Sequence, residues 1–211
     1  MSKIDCLNIA ISKGRIGKDA SKIFKRIGLG DSIDIDSRKL IFKDKQNKIN
    51  YVYVKPLDVI TYVQNGVSDL GVVGKDIILE KDNDVYEILD LGFGKCKFAI
   101  AGMKDQKIYC KDELLRVATT YPNIAKKYFD EREQKIQLIK LNGSVELAPL
   151  VGLSDVIVDL VETGNTLRAN GLEIMEEMFD ISARLICNRI SYRFKYTRIA
   201  KLVESLKELE N

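Results

Sequence analysis

Apolar and polar positions along the chain alternate between two rhythms. Leu7 to Ile11 is a short apolar run ending at the polar segment Ser12-Lys13-Gly14-Arg15, which predicts a buried strand running into a turn. Ile16, Ala20, Ile23, Phe24 and Ile27 then recur every three or four positions, one face of an amphipathic helix, and Gly28 and Gly30 stop it. Ile33 and Ile35 alternate with Asp34 and Asp36, and Lys39 to Phe42 reads as strand up to a polar turn at Asp44 to Lys48. Tyr51 to Val54 is a further strand. Pro56 suits the first position of a helix with Ile60 and Val63 inward and Gly66 past its end. Asp69 to Gly74 is an apolar strand entering a glycine turn, and a short helix starts at Asp76.

The second half repeats the alternation. Gly92 to Gly102 reads as a glycine-bracketed strand crossing between lobes, and Arg116 to Thr120 as the strand that opens a new unit. Pro122 begins a helix through Ile124, Ala125, Tyr128 and Phe129, and Ile136 to Leu141 is strand. Ser144 to Leu153 reads as a helix despite Pro149, Asp155 to Val161 as strand, and Gly171 to Met178 as helix. Arg184 to Asn188 is a strand returning to the first lobe, and Ile199, Leu202, Leu206 and Leu209 form the face of a closing helix. Strands separated by helices predict an α/β protein with parallel sheets. Two such series joined near residue 95 predict two lobes with a cleft between them: residues 1–94 plus 181–211, and residues 95–180.

Composition narrows the chemistry. The chain of 211 residues has no histidine, so no Ser-His-Asp or Cys-His triad and no imidazole base or metal ligand exists in it. A net charge of +3, from 34 Lys plus Arg against 31 Asp plus Glu, gives no nucleic-acid footprint, so any anion binding must be local. No apolar run is long enough to span a bilayer, and Asp5 and Asn8 interrupt any signal-like segment, so a cytoplasmic protein is expected. Cysteines at 6, 96, 110 and 187 show no C-x-x-C pair and are expected to be separate thiols.

The stretch that carries chemistry runs from Gly143 to Leu167. An apolar strand delivers Asp159 and Glu162 to its C-terminal end, and Thr163-Gly164-Asn165-Thr166 then turns into a helix holding Leu167. Such a turn aims backbone N–H groups and two hydroxyls at one point, backed by the positive end of a helix, which makes a phosphate-sized anion site. Gly164 lets the backbone come close without a Cβ. Asp159 then stands where the hydroxyls of a ribose attached to that phosphate would lie. The same turn also reads as a plain helix N-cap, and Asp159 as a solvated strand end.

Glu146, Gly152, Ser154, Ile157, Asp159, Thr163, Gly164, Thr166 and Leu167 fill, without departure, the signature of a known family. With Ile11-Ser-Lys-Gly-Arg-Ile16, Ser37-Arg-Lys-Leu-Ile-Phe42, Asp69-Leu-Gly-Val-Val-Gly74, Thr120-Tyr-Pro-Asn123 and Leu141-Asn-Gly-Ser-Val-Glu146, the chain resembles the short form of ATP phosphoribosyltransferase. The resemblance implies a two-lobed fold like type II periplasmic binding proteins, with the active site between lobes. It implies transfer of the 5-phosphoribosyl group of phosphoribosyl pyrophosphate to N1 of ATP, the first step of histidine biosynthesis, with Mg²⁺ carried by the substrate and none held by the protein. Asp159, Glu162, Thr163, Gly164, Asn165, Thr166 and Leu167 are implied to bind phosphoribosyl pyrophosphate. Arg15, Arg38 and Lys55 are implied in catalysis, Lys55 standing where many relatives carry Arg. Lys13, Gly14, Gly71 and Glu146 are weaker nucleotide or pyrophosphate contacts. The short form further implies self-association and a regulatory subunit resembling histidyl-tRNA synthetase, with no histidine-binding domain on this chain. A non-catalytic binding module on the same fold, or a phosphoribosyltransferase for another base, is the competing expectation. A receptor would need a signal segment, and a regulator a DNA-binding helix pair.

Overall fold

The computed structural model describes residues 6–31, 33–34, 37–104, 107–108 and 113–209. The chain forms two compact units, Met1–Ile78 with Asp82–Gly94 and Ser182–Asn211, and Leu79–Lys81 with Lys95–Ile181. Their elements follow in chain order as β1 (Leu7–Ser12), α1 (Arg15–Arg26), β2 (Ile41–Asp44), β3 (Ile49–Val54), α2 (Pro56–Gln64), β4 (Leu70–Gly74), α3 (Lys75–Glu80) and β5 (Val85–Asp90). Then come β6 (Cys96–Met103), β7 (Leu115–Thr119), α4 (Pro122–Asp130), β8 (Ile136–Lys140), α5 (Leu147–Leu150), β9 (Val156–Val161), α6 (Asn165–Ala169) and β10 (Leu172–Ile181). The chain ends with β11 (Ala183–Asn188), α7 (Arg189–Phe194) and α8 (Tyr196–Lys207). No helix among the described residues is long and apolar enough to cross a membrane.

The first unit holds a six-stranded sheet in the order β2-β3-β1-β4-β11-β5. Successive side chains of a strand point to opposite faces, and β1 shows what that requires here. Leu7, Ile9 and Ile11 pack with Ala20 and Phe24 of α1 and Ile199, Leu202 and Leu206 of α8. Ala10 packs on the other face with Val59, Ile60 and Val63 of α2. Both faces are covered, so β1 is apolar throughout rather than alternating. Each of these large aliphatic side chains contributes roughly 1.5–3 kcal/mol on burial.

Polar groups tie the same unit together. Lys195 Nζ donates to Asp69 Oδ2 at 2.8 Å and to the Cys6 carbonyl at 2.7 Å. The Asp69 carboxylate also accepts from Ser191 Oγ at 2.6 Å and from the Asn8 N–H at 2.8 Å. A buried charge is tolerated because its hydrogen-bonding capacity is filled this way. Cys6 and Cys187 are free thiols, and Cys110 lies outside the described residues. Burial and then the charge of Asp69 push the Cys187 thiol up to about 12, so it stays protonated and inert.

The second unit holds a five-stranded sheet, β10-β6-β9-β7-β8. β7 and β9 run parallel, as do β7 and β8, while β6 is antiparallel to both β9 and β10. Phe98, Val117, Val158 and the α4 residues Ile124, Ala125 and Phe129 fill one face. Ile157, Val161, Val145, Ala148 and Leu167 fill the other.

Four expectations are corrected. Both sheets are mixed rather than parallel, because β2, β11, β6 and β10 enter antiparallel. The segment expected as a helix over Gly171 to Met178 is instead strand β10, paired with β6. Register shifts at Ile174/Glu176 and Glu177/Phe179 break its two-residue alternation into the three-residue spacing of a helix, and sheet pairing overrides the Leu-, Met- and Glu-rich propensity. The helix expected over Ser144 to Leu153 shrinks to the single turn of α5. Ser144 takes a φ of 48° and Gly152 one of 72°, both left-handed, so neither end can extend it. Finally, β5 and α7 carried no expectation, and β2 begins only at Ile41; Ile35 and Asp36 lie outside the described residues.

Candidate active site

In each unit the candidate residues gather at the carboxyl ends of parallel strands. β1 of the first unit lies between β3 and β4, parallel to both, so the order of the sheet reverses there. In open α/β sheets that reversal leaves a crevice at the strand ends. Ser12-Lys13-Gly14-Arg15 leaves β1 at this point, with the Lys13 N–H donating to the Val54 carbonyl at 2.8 Å. Ser12 stands beside Val54 in the register, so Lys13 and Lys55 emerge from adjacent strand ends. Ile41 stands opposite Val52, and the Tyr53 N–H reaches the Leu40 carbonyl at 2.8 Å. That ladder brings Arg38 to the same end of β3 as Lys55. Lys13, Gly14, Arg15, Arg38 and Lys55 are all exposed. Gly14, the residue before α1, has a φ of 96° and open space where a Cβ would stand.

Two glycines of this edge act through packing. A Cβ on Gly17 would lie 2.0 Å from the Ser12 carbonyl oxygen, so only glycine lets α1 start this close to β1. No pattern in the sequence singles it out. Gly71, expected as a nucleotide contact, is buried as the second residue of β4. A Cβ there would meet Val59 at 2.7 Å, Val63 at 2.8 Å and Ile186 at 3.1 Å, so the position needs glycine for packing.

In the second unit β7 lies between β8 and β9, and its carboxyl end is fixed by Thr119. Thr119 Oγ1 donates to the Val158 carbonyl at 2.7 Å and accepts from the Tyr121 N–H at 2.9 Å. This holds the Thr120–Tyr121 loop beside Asp159. Asp159 shares the strand face of Ile157 and Val161, the face on which Val145 and Ala148 pack. Its carboxyl is pushed up to about 6 by burial, and further by the negative charge of Glu146; a hydrogen bond from the Leu160 backbone pulls the other way. The charge of Glu146 is thus felt at Asp159. A half-buried carboxylate facing a like charge is suited to accept hydroxyl groups.

Past β9, Glu162 and Thr163 are exposed, and Gly164 adopts the left-handed conformation with φ 70°. Asn165 and Thr166 are exposed, so the turn presents its two threonine hydroxyls to solvent. Two details differ from expectation. α6 spans only Asn165–Ala169, too short for a sizeable dipole, so anion binding here rests on the turn's own amides and hydroxyls. Leu167 is 5% exposed and packs in the core, anchoring the turn rather than facing a substrate. The turn also has a partner that the sequence did not single out. Arg168 Nη2 donates to the Thr163 carbonyl at 2.8 Å and to Asn165 Oδ1 at 2.6 Å. Among 34 cations no pattern marked this one. Among the described residues, no three Cys, Asp or Glu side chains converge as a metal-binding group.

The chain is similar to known proteins along most of its length. Residues 55–208 match the family model for HisG, ATP phosphoribosyltransferase. An ATP phosphoribosyltransferase of Clostridioides difficile is 67% identical over 208 residues, 99% of this chain and 100% of that protein. The solved ATP phosphoribosyl transferase (HisG:HisZ) complex from Thermotoga maritima contains a chain with 36% identity and a TM-score of 0.83, covering 96% of this chain and 97% of that one. The substrate binding protein of an amino acid ABC transporter aligns with a TM-score of 0.57 at 13% identity, over 97% of this chain and 93% of its own, a likeness of fold alone. The two-sheet architecture is therefore that of periplasmic-binding-protein-like folds, and the chain belongs to the ATP phosphoribosyltransferase family, in its short form.

Proposed function

We propose that this chain transfers the 5-phosphoribosyl group of phosphoribosyl pyrophosphate to N1 of ATP and releases pyrophosphate, as the first step of histidine biosynthesis in the cytoplasm. The observation that carries the assignment of the site is that Asp159 and the Thr163–Thr166 turn are offered by one continuous strand and turn. In this reading the turn's amides and hydroxyls hold the 5-phosphate, and Asp159 accepts the ribose hydroxyls. Glu162 and Glu146 flank that position, Glu146 chiefly by tuning Asp159.

The chemistry needs no histidine. Adenine N1 already carries a lone pair, so the nucleophile needs little activation. The barrier lies in charge, because the anomeric carbon becomes cationic as pyrophosphate departs with its negative charge. Lys13, Arg15, Arg38 and Lys55, with the open backbone at Gly14, are assigned to the phosphates. A well-aimed donor in such a role is worth roughly 3 kcal/mol. Lys55 offers a point charge where an arginine would offer a fork, so its contact is less directional. Mg²⁺ enters with the substrate and shields the leaving group. The HisG:HisZ complex supports a partner subunit, which we take to be regulatory and to resemble histidyl-tRNA synthetase, alongside self-association.

An ultraviolet assay of product formation from ATP, phosphoribosyl pyrophosphate and Mg²⁺ tests this reading. Turnover is expected with ATP and not with GTP, and Asp159→Ala is expected to abolish it. An unchanged rate in that variant would discard the ribose assignment.

A further inference from the structure

The Arg168 N–H holds the Gly164 carbonyl at 3.0 Å and the Asn170 side-chain amide holds the Thr166 carbonyl at 2.9 Å, but neither bond fixes the peptide between Thr163 and Gly164. Within the Thr163–Thr166 turn the Asn165 N–H reaches Thr163 Oγ1 at 3.4 Å, and no side chain caps the start of α6. At its centre stands Gly164, with φ 70° and ψ 7°. Glycine populates several backbone regions at similar cost, so the peptide joining Thr163 to Gly164 can turn over cheaply. Its two faces are opposites to an anion. One orientation presents the Gly164 N–H, the other the Thr163 carbonyl oxygen.

Arg168 decides between them. Its Nη2 holds the Thr163 carbonyl oxygen at 2.8 Å, and the same nitrogen is braced by Asn165 Oδ1 at 2.6 Å. Because a trans peptide is planar, its C=O and N–H point in opposite directions. Fixing the carbonyl toward Arg168 therefore fixes the Gly164 N–H on the opposite side. Gly164 in turn makes room for the guanidinium, since a Cβ on it would stand 3.1 Å from Arg168 Nη1. We infer that Arg168 is a positioning residue that locks the Thr163–Gly164 peptide with its N–H turned to the substrate's 5-phosphate. The inference rests on the reading of this turn as the phosphate site, and it adds a specific consequence. Loss of Arg168 weakens phosphoribosyl pyrophosphate and leaves ATP alone.

Steady-state kinetics of the full chain, with its partner subunit present, separate the two claims. Turnover by the wild-type protein tests the phosphoribosyltransferase reading without reference to Arg168. Given turnover, Arg168→Gln is expected to raise the KM for phosphoribosyl pyrophosphate about tenfold, the worth of one charge-assisted hydrogen bond. The KM for ATP should stay within about twofold. Both bonds leave one nitrogen, so Arg168→Lys is expected to recover most of the loss. In nuclear magnetic resonance spectra the Gly164 amide should shift on addition of ribose 5-phosphate, and shift less in Arg168→Gln. An unchanged KM in Arg168→Gln, an equal rise for both substrates, or no recovery by lysine overturns the inference. Should Arg168→Gln fail to fold, Asn165→Ala removes the brace and is expected to show the same selective rise, smaller in size; no rise overturns the inference.

Discussion

Glu146 and Asp159 repel each other: the Glu146 carboxylate adds to burial in raising the Asp159 carboxyl to about 6. Only the ionised carboxylate accepts two ribose hydroxyls, so kcat/KM for phosphoribosyl pyrophosphate should rise with pH through about 6. Glu146→Gln removes one of the raising influences and should move that inflection to lower pH. A pH profile of both proteins from about pH 5 to about pH 8 checks this; an inflection that stays in place would separate the two carboxyls functionally.

The same raised proton affinity sets stability. The folded state holds the Asp159 proton more tightly than the unfolded chain, whose carboxyl titrates near 3.8. Its contribution is therefore most favourable at low pH and is lost as pH rises from about 4 through about 6. Above that, the ionised group is a burden. Asp159→Asn should raise stability near pH 8 by on the order of 1–2 kcal/mol, read from urea midpoints, while activity falls at least about tenfold.

The Lys195–Asp69 pair should behave in the opposite way. Both side chains are largely buried, at 12% and 5% exposed. Lys195→Met leaves the Asp69 carboxylate buried with only neutral donors, and should cost about 3–5 kcal/mol in urea unfolding. Adding Asp69→Leu to it should restore part of that loss, because the uncompensated charge is then gone.

Gly17 and Gly71 offer a paired test. Alanine at either forces close contacts, 2.0 Å to the Ser12 carbonyl and 2.7 Å to Val59 respectively, and each should cost about 1–3 kcal/mol in thermal or urea unfolding. Their kinetics should differ. Gly17→Ala displaces the start of α1 and with it Lys13 and Arg15, so substrate KM values should rise. Gly71→Ala disturbs the packing of β4 against α2 and Ile186 of β11, and KM should not move in the folded fraction.

What the sequence reveals depends on how local each feature is. β1, α1 and α2 were legible because strands covered on both faces are apolar throughout and because Gly28, Pro56 and Gly66 mark helix ends. β10 was illegible because its bulges imitate helical spacing, and only its pairing with β6 makes it a strand. The stretch from Asp159 to Thr166 could be proposed as a site from the sequence because its candidate groups are contiguous. Arg168 and Gly17 could not be assigned, and the packing role of Gly71 was hidden behind its expected nucleotide contact, because each takes its meaning from neighbours distant in sequence or in packing: a carbonyl, a strand end, a pair of valines. The proximity of Glu146 to Asp159 likewise depends on how α5 packs on β9.

The bulges of β10 have a result at the boundary of the molecule. β10 is an outer strand of its sheet, and an outer strand normally offers a regular row of unsatisfied amides and carbonyls to any passing chain. Here the two register shifts twist that row out of step, and Glu173 and Glu177 add exposed charge along it. The irregularity that disguised the strand as a helix is also what makes it a poor template for aggregation.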